Sequence, residues 1–168
     1  MRRDFFVRIC YTNNNLFLTY YSERCVSYEN QVSSLFQGGR VKEIAAEIGR
    51  VHACVCDQLP PAYPCEGERV VFVGVVKGTS LAAPVVSFCK DLDPSRTKNV
   101  AFYCLTNAGT SAIDSLKKTI EDHGVHVMSN ILQLNVKCGL FSKGAPTQED
   151  IDKAIAWSNE ICKSDELA

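Results

Sequence analysis

Residues 69–76 read RVVFVGVV and residues 99–106 read NVAFYCLT. Each is a short, unbroken apolar run rich in β-branched and aromatic side chains. Such a run suits a strand covered on both faces, as the central strands of a parallel sheet are. Between the two lies LAAPVVSFCKDL, where Val85, Phe88, Cys89 and Leu92 recur at helical spacing. Pro84 fits the first turn of that helix, where its missing N–H costs nothing. Beyond the second run, Ile113, Leu116 and Ile120 form the apolar stripe of another helix. Ser111 and Asp114 have the spacing of a capping pair at its start, and Gly124 stands where a terminating glycine belongs. VHVMSNILQL (125–134) reads as a third strand. The loop CGLFSKGAP then leads to a last helix over 147–163, capped by Thr147 and Asp150. Along one side of it lie Ile151, Ile155, Ser158 and Cys162, with Ala154 and Ile161 beside them. Strand and helix alternate three times, which implies right-handed crossovers and a parallel sheet with helices on both faces.

Upstream, GRVKEIAAEIG carries Val41, Ile44, Ala45 and Ile48 at the spacing of an amphipathic helix. RVHACVCD after it reads as a strand, and PPAYPCEGE as a Pro-rich loop. Two segments compete for the first strand: QVSSLF, adjacent to the helix but weakly apolar, and LFLTYYS at 16–22, a better strand farther away. Residues 1–30 are accordingly an N-terminal extension or the region of the first strand, and 31–168 form the domain.

The chain has 168 residues, enough for one domain with its own core. Net charge is -1, which gives no footing for nucleic acid or an anionic membrane surface. No apolar stretch reaches the roughly 18–20 residues that span a bilayer. MRRDFF begins like a leader, but Asn13, Asn14 and Asn15 interrupt it. A cytoplasmic protein is expected. The 9 cysteines are scattered, and only Cys54 and Cys56 are close, on one face if they share a strand. Without paired ligand spacing they read as small buried hydrophobes in a reducing compartment, with neither metal nor disulfide expected. There is no nucleophile elbow, no pair of catalytic carboxylates, no Walker loop and no zinc motif. Trp157 reads as a core or groove residue, and His52, His123 and His126 as surface or strand residues without an evident partner.

The order of elements, together with several segments, resembles the flavodoxin-like family. GGRVKEIAAEIG resembles the first loop and helix of flavodoxins, where a T-G-N-T type loop precedes a V-A-x-x-I-A helix. VVFVGVVKGTSLAAPVVSFCKDL is similar to their third strand, loop and helix. KNVAFYCLTNAGTSAIDSLKKTIEDHGVHV is similar to the fourth, and KGAPTQEDIDKAIAWSNEI to the terminal helix. The resemblance covers about residues 31–163. It implies a three-layer α/β/α sandwich with a five-stranded parallel sheet of order 2-1-3-4-5. It also implies FMN bound at the switch point between strands one and three.

Three loops would then make the site. Gln37, Gly38, Gly39, Arg40 and Val41 would hold the phosphate, although only Gly39 matches the family's loop. Were LFLTYYS the first strand, Ser22, Ser27 and their neighbours would take that place. Val76, Lys77, Gly78, Thr79 and Ser80 would lie against the flavin ring, where the family has a flipping peptide beside a glycine that presents a carbonyl to flavin N5. Thr106, Asn107, Ala108, Gly109, Thr110 and Ser111 would meet the pyrimidine edge. The family often stacks an aromatic ring on the flavin, and none stands at 75–81; Tyr63, in the Pro-rich loop, is a candidate to reach the site. Three functions follow: an electron carrier docking on a redox partner protein, an FMN-dependent reductase of quinone-like acceptors, and a cofactor-free flavodoxin fold acting as a binding module. The near balance of 18 basic and 19 acidic residues differs from the acidic character of the family's dedicated carriers.

Overall fold

The structure, a computed structural model, describes residues 11–12, 15–16, 32–62, 65–135 and 145–168. Its elements in chain order are β1 (Val32–Phe36), α1 (Val41–Val51), β2 (Val55–Gln58), β3 (Glu68–Val75), α2 (Ala83–Lys90), β4 (Thr97–Cys104), α3 (Ser111–Asp122), β5 (His126–Val127), β6 (Leu132–Gln133) and α4 (Gln148–Ile161). The sheet order is β2-β1-β3-β4-β5, with β6 also beside β4, and every pairing in it is parallel. Apart from it, Tyr11–Thr12 pairs antiparallel with Asn15–Leu16.

QVSSLF supplies the first strand, β1 (Val32–Phe36), which lies between β2 and β3. Its weak apolar character is explained by two buried serines whose hydroxyls are satisfied: Ser33 donates to the Glu68 carboxylate, and Ser34 donates to the Ala45 carbonyl at 2.8 Å. The rest of LFLTYYS beyond Leu16 lies outside the described residues. Helix α1 runs on through Arg50 and Val51, so the expected strand at RVHACVCD shrinks to Val55–Gln58 and Cys54 precedes it. The alternation drawn for Cys54 and Cys56 therefore does not hold, since only Cys56 is in the strand.

The strand expected over 125–134 is broken. Four residues separate Val127 from Leu132 where two separate their partners Val100 and Tyr103 on β4. The extra length leaves the ladder because other groups hold its backbone. Glu166 accepts from the Ser129 N–H and hydroxyl, and the Trp157 indole donates to Asn130 O.

Helices cover both faces. On one, Val71, Val73 and Val75 of β3 and Val100 and Phe102 of β4 pack under α2 and α3. On the other, Val70, Phe72, Ala101 and Tyr103 pack under α1 and α4. Gly74 makes room in this second layer: a Cβ there would stand 2.4 Å from the Tyr103 ring and hydroxyl and from Val41 Cγ1. The inward side of α4 is Ala154, Trp157, Ser158 and Ile161, whereas Ile151, Ile155 and Cys162 are half-buried. The apolar stripe read for this helix is thus rotated, because Trp157 meets Phe72 and Tyr103 edge-on at 5.4 and 5.9 Å.

Thr147 and Asp150 form a full capping box on α4. Gly124, with φ +84°, ends α3, its N–H bonding Glu121 O while Val125 N–H bonds Ile120 O. The Ser111–Asp114 cap does not form: Thr110 precedes the helix, and its hydroxyl bonds the Asp114 carboxylate at 2.8 Å. Two of the histidines have partners after all. His52 Nε2 lies 2.9 Å from Ser158 Oγ with its ring stacked on Phe72, and His126 Nε2 lies 3.2 Å from Glu166 Oε1. Among the described residues no helix is long and apolar enough to cross a membrane.

Candidate functional site

The C-terminal ends of β1, β3 and β4 are neighbours, and the loops that follow them gather at one edge of the sheet. From β1 the chain crosses to β2 on one side, and from β3 to β4 on the other, so β1 and β3 flank the switch point where α/β folds bind ligands.

The first loop is four residues long, from Gln37 to Arg40, with α1 starting at Val41. Gly38 and Gly39 have φ of +124° and +64°, conformations that side chains other than glycine's rarely adopt. Their turn throws the chain directly into α1, whose first turn has no side-chain cap. Lys42 N–H bonds Gly39 O at 3.2 Å, while the N–H groups of Gly38, Gly39 and Val41 have no partner among the described residues. A Cβ on Gly39 would meet nothing within 4 Å, so the backbone there faces open space. Three free amide donors at the positive end of a helix are the donor set a phosphate dianion requires. Arg40 is exposed beside them.

Gln37 ties this loop to the next. Its N–H bonds Gly74 O at 2.8 Å, and its side-chain oxygen accepts from Val76 N–H at 3.2 Å, across the switch point. In the second loop, Lys77 and Ser80 close a turn (Ser80 N to Lys77 O, 3.4 Å), with Lys77, Thr79 and Ser80 exposed. Gly78 is buried, and its carbonyl is already engaged, accepting from Ala112 N–H at 3.0 Å and Ile113 N–H at 3.3 Å. The carbonyl that the resemblance would turn towards flavin N5 therefore caps α3 instead. A Cβ on Gly78 would lie 2.4 Å from Gly109 O and 3.1 Å from Thr110 Cα. The second and third loops are in backbone contact.

In the third loop, Thr106 Oγ1 accepts from Ala108 N–H at 3.2 Å, Asn107 and Ala108 are exposed, and Gly109 has φ +113°. Beneath the junction, the Cys104 thiol donates to Thr106 O at 3.4 Å, and burial pushes its pKa up. The three loops chosen from the sequence thus meet at one edge, with the second and third in contact at Gly78 and Gly109. Gln37, expected at the phosphate, gives its side chain to Val76 N–H instead, and two further neighbours were not singled out in the sequence: Cys104, and Gln58, whose amide would be 3.1 Å from a Cβ on Gly38. Only the placement of Gln58 and Cys104 at strand C-terminal ends marks them. Tyr63 lies outside the described residues, as do Ser22 and Ser27.

The residues fit FMN unevenly. The phosphate end finds its donors. The ring end offers no aromatic side chain in the second or third loop, and no free carbonyl at Gly78. Among the described residues no cluster of three or more His, Cys, Asp or Glu could hold a metal, and Cys54, Cys56, Cys65, Cys89, Cys104 and Cys162 are free thiols. Cys10, Cys25 and Cys138 are outside the described residues.

No family model matches the chain, and none of the curated proteins matches it in sequence. Among solved structures, a flavodoxin of Streptococcus pneumonia TIGR4 is similar, with a TM-score of 0.50 and 15% identity, over 79% of this chain and 98% of that one. At that identity the likeness speaks to the fold, and together with the strand order it makes this chain a flavodoxin-like α/β sandwich.

Proposed function

We propose that the chain binds FMN at the C-terminal edge of its sheet and takes part in electron transfer. The observation that carries this reading is the donor set of the first loop: the free N–H groups of Gly38, Gly39 and Val41 at the uncapped start of α1, at the switch point of a flavodoxin-like fold. Gly38, Gly39 and Val41 hold the phosphate through backbone donors, and Arg40 adds positive charge. Bound FMN supplies the redox chemistry, since no side chain of the site does. Gln37 keeps the phosphate loop at a fixed distance from the second loop. The loops at Val76–Ser80 and Thr106–Ser111 face the ring, and Asn107 and Thr110 offer polar groups to its pyrimidine edge. Electrons then pass to or from a partner protein.

The test is titration of FMN into the purified protein, followed by flavin fluorescence. Quenching with FMN, and affinity at least about tenfold weaker for riboflavin, is expected when charge-assisted bonds to the phosphate dominate. A second reading, a cofactor-free binding module, is favoured by the Gly78 carbonyl, which accepts from Ala112 and Ile113 N–H and is not free to meet a flavin. Absence of quenching with either flavin would select it.

A further inference from the structure

We infer that Cys162 and His52 form a nucleophile–base pair that exchanges with small anionic disulfides, in a cavity at the sheet edge opposite the phosphate loop.

Val32 and Val70 pair at the N-terminal ends of β1 and β3. Helices α1 and α4 end beside them, at His52 and Cys162. These residues wall a cavity of about 330 Å³, which Arg69 and Lys163 also line. Ser158 fixes the state of the imidazole. Its hydroxyl lies 2.9 Å from Ile155 O, which can only accept, and 2.9 Å from His52 Nε2. A hydroxyl has one proton to give, so it goes to Ile155 O, and Nε2–H donates to Ser158 Oγ. Nδ1 is left with its lone pair, and Cys162 Sγ lies 3.9 Å from it, within reach of a thiol. The ring stacks on Phe72 at 5.7 Å, which holds this aim. Ser158 thus orients the base His52 on the nucleophile Cys162. Burial lowers the His52 pKa, so the ring is neutral at neutral pH and can take a proton. Burial pushes the Cys162 thiol up, against the pull of the Arg69 charge, so the thiol depends on that base.

The surroundings select the electrophile. Two helix C-terminal ends present carbonyls and the negative ends of their dipoles. Acyl transfer needs N–H donors for its oxyanion, which carbonyls cannot supply. Disulfide exchange needs none, because its charge stays on sulfur. Among the described residues the charged side chains lining the cavity, Arg69 and Lys163, are both basic, which favours a disulfide carrying carboxylates. In the exchange, His52 Nδ1 takes the Cys162 proton and the thiolate attacks one sulfur of the disulfide. A new S–S bond forms as the old one breaks, and the departing thiolate takes the proton back from His52. Cys162 is oxidised to a mixed disulfide and the departing half is reduced to a thiol, so the step needs no other reactant.

The test treats the reduced full chain with oxidised glutathione and follows each cysteine by peptide mass mapping over time. The mixed disulfide is expected at Cys162 before Cys56, although Cys56 is exposed and Cys162 is half-buried. His52→Gln, which keeps an N–H donor but no base, slows Cys162 by at least about tenfold. Ser158→Ala, which removes only the orienting group, falls between that variant and wild type. The neutral bis(2-hydroxyethyl) disulfide reacts more slowly at Cys162, and Lys163→Gln narrows the difference. Nitrogen NMR shifts of the wild type read the tautomer directly, with the proton expected on Nε2. Modification of Cys56 ahead of Cys162, equal rates with the neutral disulfide, or a wild-type rate in His52→Gln with unchanged circular dichroism overturns the inference. A proton on Nδ1 overturns it even if no variant folds. None of these readouts involves a flavin.

Discussion

Gly38 and Gly39 are adjacent, both left-handed, and differ in what surrounds them. At Gly38 a side chain would press on the Gln58 amide, while at Gly39 it would stand in open space. Backbone conformation alone then limits position 39, and asparagine tolerates that conformation where valine does not. Gly39→Val should lose about 1–2 kcal/mol in urea unfolding, and Gly39→Asn much less. Both should weaken FMN, because either side chain stands before the phosphate donors. Glu68 carries a different strain. Its Oε1 accepts from Ser33, but its Oε2 is buried with no partner among the described residues. The thiols of Cys54 and Cys65, pushed up to about 12 and 11 by burial above all, stay neutral near it. Burial raises the Glu68 pKa above 4.5, against the opposing bond from Ser33. The folded state therefore holds this proton more tightly than the unfolded chain. The contribution to stability is present below 4.5 and is lost as pH rises through the raised folded value. Urea midpoints measured from pH 4 upward should show that decline in wild type and a flatter course in Glu68→Gln; identical slopes would refute the assignment.

Two helices contrast in how they start. Thr147 caps α4 with a reciprocal pair of bonds to Asp150, so Thr147→Ala should cost about 1 kcal/mol in thermal or urea unfolding. Thr110 precedes α3 but gives its hydroxyl to an exposed carboxylate, and Thr110→Ala should cost less than about half of that. What a linear reading reveals follows the same division. The box at Thr147 and Asp150 and the end of α3 at Gly124 are local, so spacing alone finds them. The cap of α3 comes from Gly78, more than thirty residues upstream, and no local pattern announces it. The edge strand breaks because Glu166 and Trp157 hold Ser129 and Asn130, again contacts between distant segments. At the site, the three loops were legible because strand order places them, whereas the bridge from Gln37 to Val76 and the contact of Gly78 with the start of α3 were not.

The two apolar layers share β3 and β4, whose alternate residues face opposite sides. Neither layer can lose its packing without disturbing strands that the other uses, so unfolding should be a single transition. Trp157, the one tryptophan, reports on the α1–α4 side. Ile113→Val, a change confined to the α2–α3 side, should lower the midpoint read by Trp157 fluorescence by the equivalent of about 0.5–1.5 kcal/mol. The same shift should appear in circular dichroism. Unequal shifts would mean that the layers melt separately. Gly74, held between the Tyr103 ring and Val41, has a consequence for mutational tolerance. In a library screened only for folding, it should admit almost no other residue, while Gly39 admits asparagine and a few more. In the same library screened for flavin affinity, both positions should look equally intolerant. Only the difference between the two screens would separate a glycine that makes space for a phenol from one that leaves space for a phosphate.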